Sequence, residues 1–307
     1  MGVILTAAAI VAATAIGVGS ERRWPRGAAA ASRRSLLVVL YAVTPLVYFF
    51  NLASTHIDLD EGVGILLALL SNAAAALVVW WVARRFLRLS RPVIGATVVA
   101  AMVVNTGYLG FPLTIALLGR HALPTAVLYD ALVTAPLLLI GAFAIGAAFG
   151  TKSGEATGDR VRAFFTRNPP LYGAVLGLLA PRWLAPEALV HIFQIAVIAV
   201  LPIGFFAVGA TLAEDAEKGT LPIPPPLTRP VALALAGRLL IAPALLTALA
   251  APLIVLPTTY RLMIVMPTGL SSLMVSHAYG LDNRTVAEVV AWSTAIVVAI
   301  ALLSLLF

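Results

Sequence analysis

The chain has 307 residues, of which 61% are hydrophobic and only 11% are charged, and its formal net charge is +7. Soluble globular domains contain about 45–50% apolar and about 25% charged residues, so this composition excludes an ordinary soluble domain. The absence of cysteine excludes disulfides, thiolate metal sites and cysteine nucleophiles.

Apolar runs of about 20 residues, the length that crosses the hydrocarbon core of a membrane, recur along the whole chain. At the N-terminus the basic cluster follows the first apolar run, which indicates a retained helix rather than a cleaved leader. The pattern predicts an all-α integral membrane protein. We expect ten transmembrane helices near residues 2–19, 36–53, 62–83, 91–119, 122–149, 169–184, 188–213, 230–256, 259–279 and 284–306.

The basic residues divide unevenly between the predicted loops. Sixteen of the 20 lysines and arginines fall in odd-numbered loops and three fall in even-numbered loops. Cytoplasmic loops are enriched in lysine and arginine, so the odd loops are predicted to be cytoplasmic. This orientation places both the N-terminus and the C-terminus outside the cell membrane.

Two weak internal matches divide the chain into residues 1–150 and 151–307. The second and seventh spans each carry a proline shortly before a Phe pair, at Pro45 and Pro202. The fifth and tenth spans share threonines at a constant offset of 160 residues. Each half holds five predicted helices, so the two halves would have opposite orientations in the membrane. Inverted repeats of this kind are typical of secondary transporters.

The fourth and ninth spans both carry glycine and proline at mid-depth. The fourth contains the run from Asn105 to Pro112, and the ninth contains Pro267 and Gly269. Proline removes a backbone donor and clashes with the preceding turn, so we expect both helices to break there. Broken backbone survives in hydrocarbon only inside protein or beside water, and paired breaks of this kind indicate a transporter's binding site.

Three of the ionisable residues inside the predicted spans are candidates for a functional role. Arg238 has two interpretations: it attracts a substrate anion or pairs with an acid, or it extends to the cytoplasmic interface. Asp130 lies two turns inside the fifth span and is predicted to act as a proton relay or counter-ion. Glu288 lies one turn inside the tenth span, which predicts a position near the interface and a second candidate for ion or proton coupling.

No enzyme motif accompanies these residues. The sequence lacks H-E-x-x-H, a P-loop and G-x-S-x-G, so we predict that the chain is not an enzyme and does not hydrolyse ATP by itself. We predict neither a resident cofactor nor a metal site, and H⁺ and Na⁺ both remain open as coupling ions.

Several motifs, taken in order, resemble the auxin efflux carrier family, which includes bacterial relatives of the plant auxin transporters. The resemblance extends over essentially the whole chain. Its motifs are Asn105-x-Gly107-x-x-Gly110-x-Pro112, Arg167-Asn168-Pro169-Pro170, Leu201-Pro202-x-x-x-x-Ala207-x-Gly209-x-x-Leu212, Met266-Pro267, and the tail from Tyr279-Gly280 into Ser293-Thr294.

The resemblance implies ten helices in two inverted repeats, with the fourth and ninth helices crossing at their broken centres. It implies a scaffold of spans 1, 2, 6 and 7, a moving transport domain of spans 3–5 and 8–10, and a homodimer through spans 2 and 7. Family substrates are small organic anions, namely auxin in plants and dicarboxylates in bacteria. Many family members carry an amide soon after the ninth-span proline. This chain has Thr268, Gly269 and Ser271 there, which leaves the substrate open.

We therefore predict an elevator-type carrier of a carboxylate or auxin-like acid. Its partners are the anion and the lipid bilayer rather than nucleic acid. The predicted substrate-binding residues are Asn105, Gly107, Tyr108, Gly110, Pro112, Pro267, Thr268, Ser271 and Arg238. Two alternatives stay open: a sodium- or proton-coupled carrier related to bile-acid symporters and antiporters, with Asp130 as its cation site, and a membrane sensor that moves no substrate.

Overall fold

A computed structural model describes residues 3–55, 57–152, 169–217 and 225–304. Helices account for nearly all of the regular structure in these ranges. The helices are α1 (Val3–Arg23), α2 (Pro25–Ser54), α3 (Leu59–Arg85), α4 (Arg91–Met102), α5 (Thr106–Leu118), α6 (Arg120–Phe149), α7 (Pro169–Leu179), α8 (Glu187–Glu217), α9 (Arg229–Ala250), α10 (Thr258–Ile264), α11 (Ser271–Tyr279) and α12 (Asn283–Leu303).

Helices α1, α2, α3, α6, α8, α9 and α12 are long and apolar enough to cross a membrane. Helices α4, α5 and α7 are apolar as well, but they are shorter, with 10–17 residues each. This architecture confirms the predicted all-α, multi-pass membrane protein. The arrangement of ten spans in two inverted repeats stays a prediction.

The fourth and ninth predicted spans are both interrupted, but the first interruption lies elsewhere than expected. Helix α4 ends at Met102 and α5 begins at Thr106, so the break precedes the glycines and proline of the run 105–112. Of this run, only Asn105 lies in the break, whereas the glycines and Pro112 belong to α5. Pro112 is accommodated inside α5 because the turn before it is widened. The second break lies between α10 and α11, around Pro267 as expected.

Widened, π-type turns also precede other prolines in the membrane helices. The turns Val39–Val43, Thr106–Gly110, Asp130–Thr134 and Gly237–Ile241 each end two residues before a proline. Proline offers no N–H and its ring clashes with a carbonyl one turn earlier. A wider turn relieves this conflict and keeps the helix continuous, which explains why these prolines do not end their helices.

Two helix pairs approach so closely that only glycine fits between them. In the α1–α8 pair, a Cβ atom on Gly17 would lie 2.2 Å from the Phe206 carbonyl oxygen. In the α2–α7 pair, a Cβ atom on Gly173 would lie 2.2 Å from the Pro45 carbonyl oxygen. Small residues allow this backbone contact, which drives helix association where no hydrophobic effect operates.

Several residues used in the sequence analysis lie outside the described ranges. Arg167 and Asn168 of the second family motif lie there, and so do three basic residues that were counted in the odd-numbered loops, Arg160, Arg162 and Lys218.

Candidate functional site

The two breaks lie against each other at the centre of the molecule. Val104 and Thr268 form an antiparallel β-bridge. On either side of it, the Asn105 N–H donates to the Pro267 carbonyl at 2.8 Å and the Gly269 N–H donates to the Val103 carbonyl at 2.9 Å. Each break thereby supplies partners for the other's exposed backbone, which would otherwise cost several kcal/mol per group in hydrocarbon.

Asn105 stands at the point where α5 begins. Its side chain is only 3% exposed, and its Nδ2 atom has no hydrogen-bond partner among the described residues. It does not cap the helix with its side chain. The first N–H groups of α5 lack partners within the helix, and the helix dipole makes this end positive. A buried amide donor and a positive helix end thus occur together.

The predicted glycines on α5 have different surroundings. A Cβ atom added to Gly107 would meet no other atom within 4 Å, so this position borders open space. A Cβ atom on Gly110 would lie 3.0 Å from the Met263 sulfur, so that glycine allows α5 to pack against α10. Tyr108, half-buried, covers Gly204 of α8, where a Cβ atom would lie 2.4 Å from the Tyr108 ring.

Most of the predicted substrate-binding residues of the second break already form hydrogen bonds within the protein. Thr268 is fully buried, donates its hydroxyl to the Ala100 carbonyl at 2.8 Å and donates its N–H to the Ser293 hydroxyl at 3.1 Å. Pro267 is buried, and its carbonyl is bonded to the first break. Ser271 is half-buried at the start of α11. The Thr268 hydroxyl is therefore occupied within the protein.

Arg238 is fully buried in α9 and holds the C-terminal ends of two half-helices. Its Nη1 atom donates to the Ala101 and Met102 carbonyls of α4 at 3.3 and 3.4 Å. Its Nη2 atom donates to the Ile264 carbonyl of α10 at 2.7 Å. Helix C-termini carry partial negative charge, so the guanidinium is stabilised there.

These contacts correct two expectations for Arg238, a position at the interface and pairing with an acid, while its attraction for a substrate anion stays a prediction. The side chain is not at the interface, and none of the acidic side chains described pairs with it. Besides the carbonyls, Nη1 donates to the Asn72 Oδ1 atom of α3 at 2.9 Å, while Nε has no partner among the described residues. Arg238 thus places a positive charge beside the crossing without presenting the Nη groups to a ligand.

Asp130 is buried and surrounded by hydroxyl groups. The Tyr48 hydroxyl of α2 donates to Oδ2, and the Thr106 hydroxyl, from the first residue of α5, donates to Oδ1. The Thr134 hydroxyl lies 3.2 Å from the Thr106 hydroxyl. None of the basic side chains in the described ranges forms an ion pair with Asp130. The structure places Asp130 inside α6, next to the candidate site, while its role as a proton relay or counter-ion stays a prediction.

Glu288 lies about one turn inside α12 with a buried side chain, and its position relative to the membrane interface stays a prediction. Its side chain is 1% exposed and forms an ion pair with Arg284, whose Nε atom lies 2.9 Å from Oε1. The two residues are one helical turn apart in α12, which brings their side chains together. Glu288 therefore has an ion-pair partner, whereas Asp130 has none among the described residues.

Sequence reasoning missed Tyr48, Asn72 and Ser293 as neighbours of the site. Each is a polar residue inside a predicted span, which is the signal that could have singled them out. That signal gives no partner, because their contacts join segments that are 25 to 166 residues apart along the chain.

Part of the chain is similar to a known protein family. Residues 161–305 match a family model described as "Membrane transport protein". The matched range includes α7 to α12, and therefore Arg238 and the second break. No curated protein matches the chain.

Proposed function

We propose that the chain is a secondary carrier of a small organic anion, which the match of residues 161–305 to the "Membrane transport protein" model and the resemblance to auxin efflux carriers support. The proposed site is the crossing of α4–α5 with α10–α11. The family match supports membrane transport. The substrate class is proposed from the chemistry of the crossing.

The observation that carries this proposal is the buried Asn105 amide at the positive end of α5. A carboxylate accepts hydrogen bonds from amide N–H groups and is stabilised at a helix N-terminus. Asn105 offers an Nδ2 donor that the described protein groups leave unused. Gly107, in the next turn, borders open space into which a ligand would fit.

The charge of the crossing favours an anion as well. Arg238 is 0% exposed, yet it lacks an acidic partner in the described part of the chain. Its Nη bonds go to Asn72 and to backbone carbonyls, so the unit charge is only partly offset by dipoles. Electrostatic interactions are strong where water is excluded, so the charge attracts an anion at the crossing without touching it.

The packing supports a division into a scaffold and a moving domain. The predicted scaffold helices α1, α2, α7 and α8 contact each other through glycines. Gly209 of α8 lies against the Thr14 carbonyl, and Gly177 of α7 lies against the Phe49 carbonyl. Pairing of the first span with the seventh, and of the second with the sixth, is the relation that inverted repeats would generate. We propose elevator-type movement of the remaining helices against this scaffold.

The test is uptake of labelled acetate, malonate, malate and indole-3-acetate into proteoliposomes. We expect saturable uptake of one class and loss of that uptake in Asn105→Ala, with unchanged thermal stability. Asn283→Ala, the same change at the start of α12 and outside the crossing, is the matched control and is expected to transport normally.

Two results would change the proposal. Wild-type uptake by Asn105→Ala would remove Asn105 from the site. Thermal stabilisation of the wild-type protein by an anion, without uptake of any compound in the panel, would replace the carrier by the sensor hypothesis.

A further inference from the structure

Asp130 is the buried ionisable group that anion binding alone leaves unexplained. A charged residue in a transmembrane segment is costly, and those that persist commonly form ion pathways or proton relays. We infer that Asp130 carries a proton together with the substrate, so that the protein is a proton–anion symporter. The inference rests on the proposed function, because it assigns the coupling ion of that carrier.

The first argument is the link between Asp130 and the anion site through Thr106. The Thr106 hydroxyl donates to Asp130, while the Thr106 N–H belongs to the first turn of α5, beside Asn105. An ionised Asp130 and a substrate carboxylate would therefore compete for the same positive helix end. Because like charges repel strongly where water is excluded, the anion binds better when Asp130 is protonated. Proton and anion thus bind cooperatively.

The second argument is the link between Asp130 and the scaffold through Tyr48. Tyr48 belongs to α2 of the proposed scaffold, whereas Asp130 belongs to α6 of the proposed transport domain. Movement of one domain against the other would separate the hydroxyl from Oδ2. A proton from solution then takes the place of the lost donor on Oδ2 and leaves to water on the opposite side. One proton moving with a monocarboxylate transfers no net charge.

The surroundings of Asp130 favour a proton over a metal ion. Each carboxylate oxygen accepts one hydrogen bond from a hydroxyl group and keeps a second lone pair, which can take a proton without displacing either donor. A metal ion would instead require the two hydroxyl groups to turn their oxygen atoms, rather than their hydrogens, towards it. The titratable side chains that interact with Asp130 are those of Tyr48 and Tyr129, and Tyr129 in turn interacts electrostatically with Arg238. Two other helices that pack against α6 also carry titratable groups. Glu61 of α3 accepts a hydrogen bond from the Thr125 hydroxyl, and Tyr172 of α7 is 46% exposed.

The experiment measures uptake of the transported anion from the same four-compound panel, with either a proton or a sodium gradient imposed. In the wild type we expect accumulation driven by an inward proton gradient, with the apparent KM rising about tenfold per pH unit on the alkaline side. Asp130→Asn should lose gradient-driven accumulation and the pH dependence of KM, while exchange of labelled for unlabelled anion stays measurable. Asp130→Glu should restore a pH-dependent KM.

Tyr48→Phe tests the contact with the scaffold, since it keeps the acid but removes one donor. We expect its pH profile to shift, while Tyr41→Phe, on an exposed tyrosine of the same helix, should keep the wild-type profile.

The outcomes separate the two proposals. Absence of anion uptake by the wild type would end the proposed function and this inference with it. Uptake that Asp130→Asn still couples to the proton gradient, or uptake driven by sodium alone, would overturn the inference while the carrier stands.

Discussion

The two breaks of the crossing occupy corresponding places in the predicted repeats but keep their polar groups in different states. In the first break, the Asn105 amide is buried and has no partner for Nδ2 among the described residues. In the second, Thr268 donates both its hydroxyl and its N–H to neighbouring groups. The first break thus retains a donor for a ligand, whereas the second uses its donors to hold the crossing together.

Packing shows the same difference. A Cβ atom on Gly107, just after the first break, would meet nothing within 4 Å. A Cβ atom on Gly269, in the second break, would lie 2.8 Å from the Val104 carbonyl oxygen. A symmetric pair of sequence interruptions therefore need not form a symmetric site. We infer one binding half and one supporting half.

The largest effect is expected from removing Arg238, on which both halves depend. Arg238→Ala would leave the Ala101, Met102 and Ile264 carbonyls without this donor inside the membrane. Leaving a buried acceptor without a donor costs about 1–3 kcal/mol per group, so the loss of these bonds together should lower Tm by about 10 °C or more. Thermal unfolding in detergent measures it.

Arg261→Ala is the control, because Arg261 is an exposed arginine on α10, close in sequence to Ile264. Its Tm should stay at the wild-type value. A wild-type Tm in Arg238→Ala together with lost uptake would mean that Arg238 contacts the substrate rather than supporting the two helix ends.

A smaller effect distinguishes the two glycines. Gly269→Ala places a methyl group against backbone that cannot move without separating the breaks, and overpacking of this kind costs about 1–3 kcal/mol. Gly107→Ala should keep or raise Tm, since alanine favours helix by up to about 1 kcal/mol over glycine. Its methyl group would instead enter the proposed site and weaken anion binding about tenfold, equivalent to about 1.4 kcal/mol.

Both variants are compared by Tm and by the KM for uptake. If the first break binds the anion and the second supports the crossing, Gly269→Ala lowers Tm, whereas Gly107→Ala raises KM without lowering Tm. Equal effects on Tm in both variants would show that the open space beside Gly107 is not available in the membrane.

Much of the fold followed from the sequence, because apolar length and breaks in periodicity are local properties. The order of the helices, and the interruption of the fourth and ninth spans, required only that information. The position of the first break did not follow. Glycine and proline at Gly107, Gly110 and Pro112 signal a conflict with a regular α-helix, but a widened turn resolves that conflict inside α5.

The roles of individual residues at the site were less predictable, because they depend on contacts between distant segments. Sequence position showed that Arg238 lies inside a span, but not that the ends of α4 and α10 converge on it. The same holds for Asp130, whose donors come from α2 and α5. An ionisable residue in a span predicts that a partner exists, but identifying that partner requires the structure.

The smallest effect is expected at Thr268, which the sequence predicted as a substrate ligand. Thr268→Val keeps the shape but removes the hydroxyl that bonds to the Ala100 carbonyl. Loss of one such bond costs about 1 kcal/mol, so Tm should fall by about 2–4 °C while the KM for uptake stays unchanged. Thr268→Ser, which keeps the hydroxyl, should retain more stability than the valine variant. If Thr268→Val instead raises KM without lowering Tm, the hydroxyl reaches the substrate. The second break would then belong to the binding half.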